Sequence, residues 1–501
     1  MTRTPRGLRR DFPHRRLALV LSGGGAMGAY EAGVLRVLER AGIRPAIVAG
    51  VSVGAINAVL WMANEFRAEP LSRVWEHLRS SSIGMRRAAL ALRAAGLFLA
   101  LFAATQALLA VAGSHETSLP RLLGMRAPTG DLSSVLLDVL AWLLVVAFGA
   151  AMAVLSPHAD DWLARLTPHT DPRRLHRWGG RGLLAWALLH LLTWGAGIPW
   201  PHRFSATVLL VALVVWLANR PGRAGDWLRD GFVRLLPETK GRALWGNAAR
   251  RRLIEHLVSE ADPEARRLTD PATHLIISAC AADSGRLCFF VNWTDVTPHF
   301  RARIEDTVGE IKGMRTCAEV VEAVVASSAI PAVFEPVRIG AHDYVDGGVF
   351  SNQPLRVVLA DDADAILVVL VSPSSGPPRP PRELNTLELG ARLIELANWR
   401  DLQTELRSLP VGWTRTPGRN ASGGLEPARI CVVEPDRVLP GGLYSFDPAA
   451  ARELMRRGER DAWAGLERAG WLEPDAATAP RTEERRAGSP TQDSGPSVRR
   501  R

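Results

Sequence analysis

A serine between two glycines, placed where a short apolar run gives way to a helix, constrains this chain more than any other feature. The surrounding residues 17–61 read LALVLSGGGAMGAYEAGVLRVLERAGIRPAIVAGVSVGAINAVLW. Leu17–Leu21 and Ile47–Ala49 are short continuous apolar runs, which are typical of buried parallel strands. Ala29–Arg40 lies between them and has apolar residues at helical spacing. The stretch therefore predicts strand, glycine turn, helix, strand, turn and helix, in that order.

The second turn is Gly50-Val51-Ser52-Val53-Gly54. A G-x-S-x-G turn holds its serine in a strained conformation that needs small neighbours, and Gly50 and Gly54 supply that room. The Ser52 hydroxyl would also face a helix N-terminus, whose dipole favours developing negative charge. Alone, this pattern fits a plain glycine-lined turn as well as it fits a nucleophile.

The first turn carries a triple glycine, Gly23-Gly24-Gly25. Its backbone N–H groups can converge on one point, as the oxyanion of a tetrahedral acyl intermediate requires. Glycine-rich turns between a strand and a helix also bind pyrophosphate. No Walker lysine follows, however, and no Asp or Glu stands near Ile47 and Val48, about twenty residues on. We therefore favour an oxyanion site over a phosphate site.

Further downstream, three more motifs follow in the chain. They are Ala326–Pro331 (ASSAIP), Asp346-Gly347-Gly348 and Ser445–Pro448 (SFDP). Together with the two glycine turns, and in this order, they resemble the motifs of the patatin-like phospholipases. The resemblance covers about Leu17–Glu76 and Thr273–Gly470 and leaves out the middle of the chain.

The resemblance implies a three-layer α/β/α sandwich with a mostly parallel sheet, and the alternation of predicted strands and helices agrees with it. It also implies a Ser–Asp dyad without a histidine, in which Ser52 attacks an ester carbonyl and Asp346 accepts its proton. The remaining implied site residues are Gly23, Gly24, Gly25, Gly28 and Val53 for the oxyanion hole, Gly50 and Gly54 for the nucleophile turn, and Gly347 and Gly348 for the Asp-Gly-Gly turn.

The implied function is that of a membrane-associated serine acyl hydrolase, which means a phospholipase, a lysophospholipase or a lipid esterase. An acyltransferase with the same acyl-enzyme chemistry and an inactive membrane scaffold remain alternatives. Two residues depart from the family pattern: Met27 stands where members often carry Arg or Lys, and Val53 is bulkier than the usual small residue. His342 is the histidine nearest to Asp346 in the sequence, and we interpret it as a surface residue.

The middle of the chain differs in composition from the rest, because it contains four long apolar segments. They are Leu92–Gly113, Val139–Leu155, Leu183–Ile198 and Phe204–Ala218. The first two approach the length of about twenty residues that a bilayer requires. We predict an all-α insertion of four transmembrane helices, and a soluble helical insertion is the alternative.

The position of the insertion constrains its topology. Ser52 precedes it and Asp346 follows it, so an even number of spans is needed for the two to meet. Arginines cluster before the first segment, between the second and third, and after the fourth. By the positive-inside rule the catalytic parts lie in the cytoplasm. We expect a multi-pass protein of the bacterial inner membrane. Among the polar residues of the apolar segments, we expect Asp138 at an interface and His190 in a hydrogen bond to another helix.

These observations divide the chain into five parts. We expect a basic N-terminal arm (1–16), two catalytic parts (17–85 and 236–475), the helical insertion between them (86–235) and a disordered basic tail (476–501). Arg9-Arg10 is followed by an apolar run of only five residues, which is too short for an export signal.

The composition narrows the partners and cofactors. The formal net charge is +10 and comes mostly from arginine, which suits anionic lipid surfaces. The sequence contains no stripe of basic and aromatic residues of the kind that binds nucleic acid, so we do not expect a nucleic-acid partner. The four cysteines are scattered, so we expect neither a disulfide framework nor a metal site. We expect no cofactor, calcium-independent activity, a lipid or phospholipid substrate and a membrane as partner. The sequence leaves the oligomeric state open.

Overall fold

The structure is a computed structural model that describes residues 7–10, 12–111, 132–155, 242–305, 309–377, 386–419, 423, 425–440, 443–444 and 446–473. Five features of the sequence prediction lie outside these residues. They are the third and fourth apolar segments, His190, Ser445 and the tail from residue 476.

The described chain alternates strands and helices. The strands are β1 (Leu17–Leu21), β2 (Ile47–Val51), β3 (His274–Ala281), β4 (Leu287–Val291), β5 (Gly309–Gly313), β6 (Val337–Ile339), β7 (His342–Asp346), β8 (Ala365–Val369), β9 (Gly418–Arg419), β10 (Leu425–Glu426) and β11 (Ile430–Val433). The helices are α1 (Gly28–Arg40), α2 (Val53–Ala63), α3 (Ala68–His77), α4 (Arg87–Val111), α5 (Leu132–Leu155), α6 (Ala248–Ala261), α7 (Arg266–Thr269), α8 (Pro298–Glu305), α9 (Cys317–Ser327), α10 (Leu355–Ala360), α11 (Thr386–Arg407) and α12 (Pro448–Arg468).

The main sheet has nine strands, and its central part is parallel. The order β11-β8-β1-β2-β3-β4-β5 runs across it, with β7 paired to both β3 and β6. All neighbours from β11 to β3 are parallel, as are β4 and β5. The β3–β4, β3–β7 and β6–β7 pairs are antiparallel. The predicted mostly parallel sheet is therefore confirmed.

Helices cover both faces of this sheet. Leu17, Leu19 and Leu21 of β1 belong to one buried hydrophobic cluster, whereas Ala18 and Val20 belong to another. Successive strand residues point to opposite faces, so the two clusters are the two layers between sheet and helices. This arrangement confirms the three-layer α/β/α fold and explains why β1 is apolar at every position.

Two strands from distant parts of the sequence lie along the same edge of β3. Val51, the last residue of β2, is opposite Ser278, and Asp346, the last residue of β7, is opposite Ala279. Because these two β3 positions are adjacent, the end of β2 meets the end of β7. The fold thus brings the residue after Val51, which is Ser52, to Asp346.

The first two apolar segments form the helices α4 and α5, which pack against each other. Phe102 and Trp142 make an edge-to-face contact with ring centroids 6.0 Å apart. A Cβ on Gly96 or Gly149 would overlap the backbone of the opposite helix, so these glycines permit the close approach. One described helix, Val135–Leu155, is long and apolar enough to cross a membrane.

The insertion differs from its prediction in one respect. The apolar part of α4, Ala95–Leu108, is shorter than a span. Asp138 lies near one end of its apolar helix, as expected, and is buried against its neighbours; its position at a membrane interface stays a prediction. The five-part division of the chain stays a prediction.

Candidate active site

Ser52 occupies a strained turn between β2 and α2. Its backbone has φ 55° and ψ −122°, a left-handed value that a residue with a Cβ adopts only where the surroundings impose it. A Cβ on Gly50 would overlap the backbone of Ala55, and one on Gly54 would overlap the backbone of Leu21. The two glycines therefore have the spatial role that the G-x-S-x-G pattern predicts.

Asp346 ends β7 directly beside this turn and is only 4% exposed. Its carboxylate accepts a hydrogen bond from the Gly348 N–H at 2.8 Å. Burial raises the pKa of Asp346 to about 6, although the neighbouring Ser52 hydroxyl, the Gly348 N–H and the charge of Arg250 act in the opposite direction. A Cβ on Gly347 would overlap the backbone carbonyl of Ser278, so the turn after Asp346 packs directly on β3.

Ser327, at the end of α9, fixes the backbone of the serine turn. The Ser52 N–H donates to Ser327 Oγ at 2.9 Å, and Ser327 Oγ donates to the Ser278 carbonyl at 2.6 Å. The sequence places Ser327 within the ASSAIP motif but indicates no contact for it. Its partner Ser52 lies 275 residues away in the chain, so only the folded sheet reveals this bond.

The predicted oxyanion glycines fall into two groups. The Gly23 N–H donates to Asn352 Oδ1 at 3.0 Å, and Asn352 Nδ2 returns a bond to the Gly23 carbonyl. The Gly28 N–H donates to the Gly25 carbonyl. The N–H groups of Gly23 and Gly28 therefore already have acceptors within the protein. This differs from the prediction, which assigns all of these glycines to the oxyanion hole. Among the described residues, the N–H groups of Gly24 and Gly25 have no acceptor.

Val53 is the first residue of α2, and its N–H points out of the helix N-terminus, where no intrahelical acceptor exists. Its side chain occupies the space beside Gly28, because a Cβ on Gly28 would overlap it. The donors that the geometry leaves for an oxyanion are therefore Gly24, Gly25 and Val53. Their role stays a prediction.

A buried polar network holds the end of the glycine loop where α1 begins. Asn57 Nδ2 donates to the Gly28 carbonyl at 2.9 Å and to Glu31 Oε2 at 2.8 Å, while Trp75 Nε1 donates to Asn57 Oδ1 at 3.0 Å. Burial raises the pKa of Glu31 well above its usual range. Asn57 thus connects the loop, the helix after it and α3, and no sequence motif points to this role.

An apolar cavity opens beside Ser52. Its apolar lining includes Ile56, Leu60, Leu71, Trp75, Ile83 and Phe446. The polar groups that reach it include Asn57, Arg250, Ser328 and Tyr444. A second cleft borders Gly23 and Gly24 and contains charged and amide side chains, namely Asn352, Gln353, Arg392, Glu395 and Asn398. Leu443 lines both spaces.

His342 lies at the opposite end of β7 from Asp346, where its Nδ1 is 2.7 Å from Asp283 Oδ2 in an exposed pair. The structure therefore places this histidine away from the serine. Met27 borders the polar cleft, so the glycine loop carries no cation at that position.

The chain matches the sequence model of a family described as patatin-like phospholipase over residues 19–184 and 205–359. Among curated proteins it is 46% identical over 48 residues to the neuropathy target esterase sws of Drosophila sechellia, which is 10% of this chain and 3% of that protein. It is 46% identical over 54 residues to the lysophospholipase nte1 of Aspergillus terreus, which is 11% of this chain and 4% of that protein. The chain thus spans only a small part of the curated relatives it matches.

Among solved structures, VipD from Legionella pneumophila aligns with 93% of this chain and 71% of its own chain, at 14% identity and a TM-score of 0.33. That likeness is too weak to support an argument. The family match covers well over half of the residues and includes both Ser52 and Asp346. This chain therefore belongs to the patatin-like phospholipase family.

Proposed function

We propose that the chain is a membrane-associated serine acyl hydrolase, a phospholipase, lysophospholipase or lipid esterase that uses Ser52 and Asp346 as a dyad. One observation carries the proposal: a serine held at φ 55° lies beside a buried carboxylate, and its hydroxyl lowers the pKa of that carboxylate. A serine hydroxyl is a weak nucleophile without a base. A carboxylate with a pKa of about 6 is a usable base near neutral pH.

In the proposed reaction, Ser52 Oγ attacks the ester carbonyl carbon and its proton moves to Asp346. The N–H groups of Gly24, Gly25 and Val53 stabilise the oxyanion of the tetrahedral intermediate. Collapse of the intermediate breaks the bond to the leaving alcohol, which takes the proton from Asp346. A water molecule then gives a proton to Asp346 and attacks the acyl-enzyme, and Ser52 recovers its proton as the fatty acid leaves.

The surroundings of Ser52 favour an amphiphilic ester. The apolar cavity suits an acyl chain, since its lining is almost entirely aliphatic and aromatic. The cleft on the other side of Gly24 has ionic and amide groups that suit a polar head. This pairing supports a lipid over a small soluble ester as the substrate.

Membrane association is the second part of the proposal. The helix Val135–Leu155 supports it, because most of its large apolar side chains are exposed. We propose an even number of spans, since Ser52 and Asp346 meet. By the positive-inside rule, both catalytic parts would lie in the cytoplasm. A tag at the C-terminus that a protease removes from intact spheroplasts would contradict this orientation.

The test compares wild type with Ser52→Ala and Asp346→Ala in detergent, on a short-chain p-nitrophenyl ester and on phospholipid vesicles. We expect each variant to lose activity by on the order of a thousandfold or more. His342→Ala is the matched control and should retain activity. Equal activity of all four proteins would reject the dyad.

The same assay separates hydrolysis from acyl transfer. With an added alcohol acceptor, a hydrolase releases mainly free fatty acid, whereas an acyltransferase forms mainly the new ester. A chelator should leave the rate unchanged, and loss of activity that calcium alone restores would contradict the expected calcium independence.

A further inference from the structure

A buried arginine that belongs to none of the predicted motifs stands beside the dyad. Arg250 lies in the first turn of α6, is 3% exposed and lines the apolar cavity next to Ser52. Its guanidinium lies over the Phe334 ring, 4.0 Å from the centroid. A buried charge is costly unless hydrogen bonds and an opposite charge compensate it, so its contacts indicate why it is there.

The hydrogen bonds of Arg250 clamp the C-terminus of α9. Nη1 donates to the Ser328 carbonyl at 2.6 Å, and Nη2 donates to the Val325 carbonyl at 3.1 Å and to Asn247 Oδ1 at 2.7 Å. The last carbonyls of a helix lack intrahelical donors and carry partial negative charge. Arg250 therefore satisfies both the hydrogen-bonding capacity and the charge of this helix end.

The clamped segment holds both residues of the dyad. Ser327 Oγ accepts the N–H of Ser52 at 2.9 Å, and the Ala329 carbonyl accepts the N–H of Asp346 at 2.9 Å. Ser328, whose carbonyl binds Arg250, lies between these two residues. A shift of this segment would move the nucleophile turn and the end of β7 together.

The charge of Arg250 also acts on the dyad. Among the described residues, no carboxylate lies within salt-bridge distance of its guanidinium, and Asp346 is the acid that raises its pKa most. Burial lowers the pKa of Arg250 to about 9, so the group remains a cation below that pH. The neighbouring Arg251 is directed elsewhere and pairs with Glu322 at 2.9 Å.

Among the described residues, four groups act on the Asp346 carboxylate. They are the Ser52 hydroxyl, the Gly348 N–H, Arg250 and, at longer range, the Tyr444 phenol. Arg250 is the only cation among the charges that act on Asp346 in the described part of the chain. The glycine loop cannot supply another, because Met27 occupies the position before Gly28.

We propose that Arg250 is a positioning residue of the Ser52–Asp346 site, which clamps the segment 327–329 and supplies the buried positive charge that faces Asp346. The inference rests on the proposed hydrolase activity. The positioning role belongs to α6, which follows the insertion and lies outside the glycine, serine and aspartate motifs.

The test uses the full chain in detergent with three variants: Arg250→Gln, Arg250→Lys and the control Arg251→Gln. The readouts are the pH dependence of kcat/KM on a soluble short-chain ester and the thermal unfolding curve. Gln keeps donors for the carbonyls but removes the charge. Lys keeps the charge but loses the forked geometry. Arg251→Gln removes a charge one residue away, whose half-buried partner is Glu322.

We expect Arg250→Gln to lower the plateau of kcat/KM by at least about tenfold and to move the acid limb of the profile upward by about one pH unit, because the carboxylate loses its nearby cation. Arg250→Lys should lower the plateau of kcat/KM but keep the acid limb of wild type. Arg251→Gln should match wild type in both. A purely structural role would lower the unfolding temperature and leave the acid limb unmoved.

The outcomes are decisive in each case. A folded Arg250→Gln protein with the wild-type acid limb rejects the inference. If Arg250→Gln does not fold, Arg250→Lys provides the test. An upward shift of the acid limb in that variant would also reject the inference. A wild-type protein without Ser52-dependent hydrolysis rejects the proposed function, and this inference falls with it.

Discussion

At the scale of single residues, Asp346 shows how the fold sets the chemistry of a side chain. A carboxyl group in water is ionised well below neutral pH and is a poor proton acceptor. The end of β7 buries this group against β3 and beside the serine turn, and the pKa rises to about 6. The same burial that destabilises the ionised form makes it a stronger base.

The first prediction concerns pH and activity. Asp346 must be ionised to accept the Ser52 proton, so kcat/KM should fall as the pH drops through the pKa of about 6. At about pH 5 the value should be roughly a tenth of the plateau. A pH profile with a soluble ester measures it, and a flat profile down to pH 4.5 would contradict the assignment of Asp346 as base.

The second prediction concerns the stability of Asp346→Asn. The folded pKa of about 6 lies above the ordinary value of 3.8, so the native state retains a proton that the unfolded chain has lost between those values. The stability that this group contributes therefore falls as the pH rises from 3.8 to 6. Removing the charge should stabilise the protein by roughly 1–3 kcal/mol near pH 7.5 and by little near pH 4.

Thermal unfolding at the two pH values measures this difference. Asp343→Asn is the control on the same strand, because Asp343 pairs with Arg242 and Arg338 near the surface. The control should not gain stability at pH 7.5. A lower unfolding temperature for Asp346→Asn at pH 7.5 would show that its ionised form is stabilising.

At the scale of elements, the crossing of α1 and α12 depends on two glycines. A Cβ on Gly33 would overlap the backbone of Met455, and a Cβ on Gly458 would overlap the backbone carbonyl of Tyr30. The two helices therefore approach more closely than side chains permit. Since α1 follows the glycine loop directly, this contact also fixes the start of α1 against the sheet.

The third prediction is that Gly458→Ala destabilises the fold by about 2 kcal/mol or more, because the added methyl group must displace backbone rather than a flexible side chain. Chemical denaturation measures the free energy of unfolding. Gly313→Ala is the matched control, since a Cβ there meets nothing within 4 Å. Equal stabilities of the two variants would show that α12 moves away without cost.

At the scale of the whole molecule, the insertion separates the nucleophile from its base in the sequence. The α4–α5 pair has its own buried cluster of Ala103, Ala107 and Trp142. The outer side of α5 exposes Leu137, Leu140, Leu144 and Phe148. An exposed apolar patch of this kind marks a protein–protein or a membrane interaction site.

The fourth prediction is that the protein stays in the membrane fraction after an alkaline carbonate wash, and that Leu144→Arg weakens this retention. Leu144 is 66% exposed and lies near the middle of the candidate span Val135–Leu155. An arginine at the centre of a span costs about 2.5–3.5 kcal/mol of insertion free energy. Ser133→Arg, outside the span, is the control and should be retained like wild type. Complete extraction of wild type would contradict membrane insertion.

Much of the fold followed from local pattern. The apolar run Leu17–Leu21 has the same bounds as β1, and the predicted helix Ala29–Arg40 begins one residue after the start of α1. Strands buried on both faces are continuously apolar, and amphipathic helices have apolar residues every three to four positions. Both patterns can therefore be recognised from residues that are close in the sequence. The pairing of Ser52 with Asp346 was expected from the family resemblance.

The elements, the two glycine turns and the residue types that the chemistry needs can be predicted from the sequence alone, because each depends on residues within a few positions of one another. Which groups meet across the sheet depends on the folded arrangement. The bonds of Ser52 to Ser327, Gly23 to Asn352 and Arg250 to the end of α9 join residues 75 to 329 positions apart. No local spacing encodes such contacts, since they arise only when β2, β3 and β7 come together and burial excludes water from the space between them.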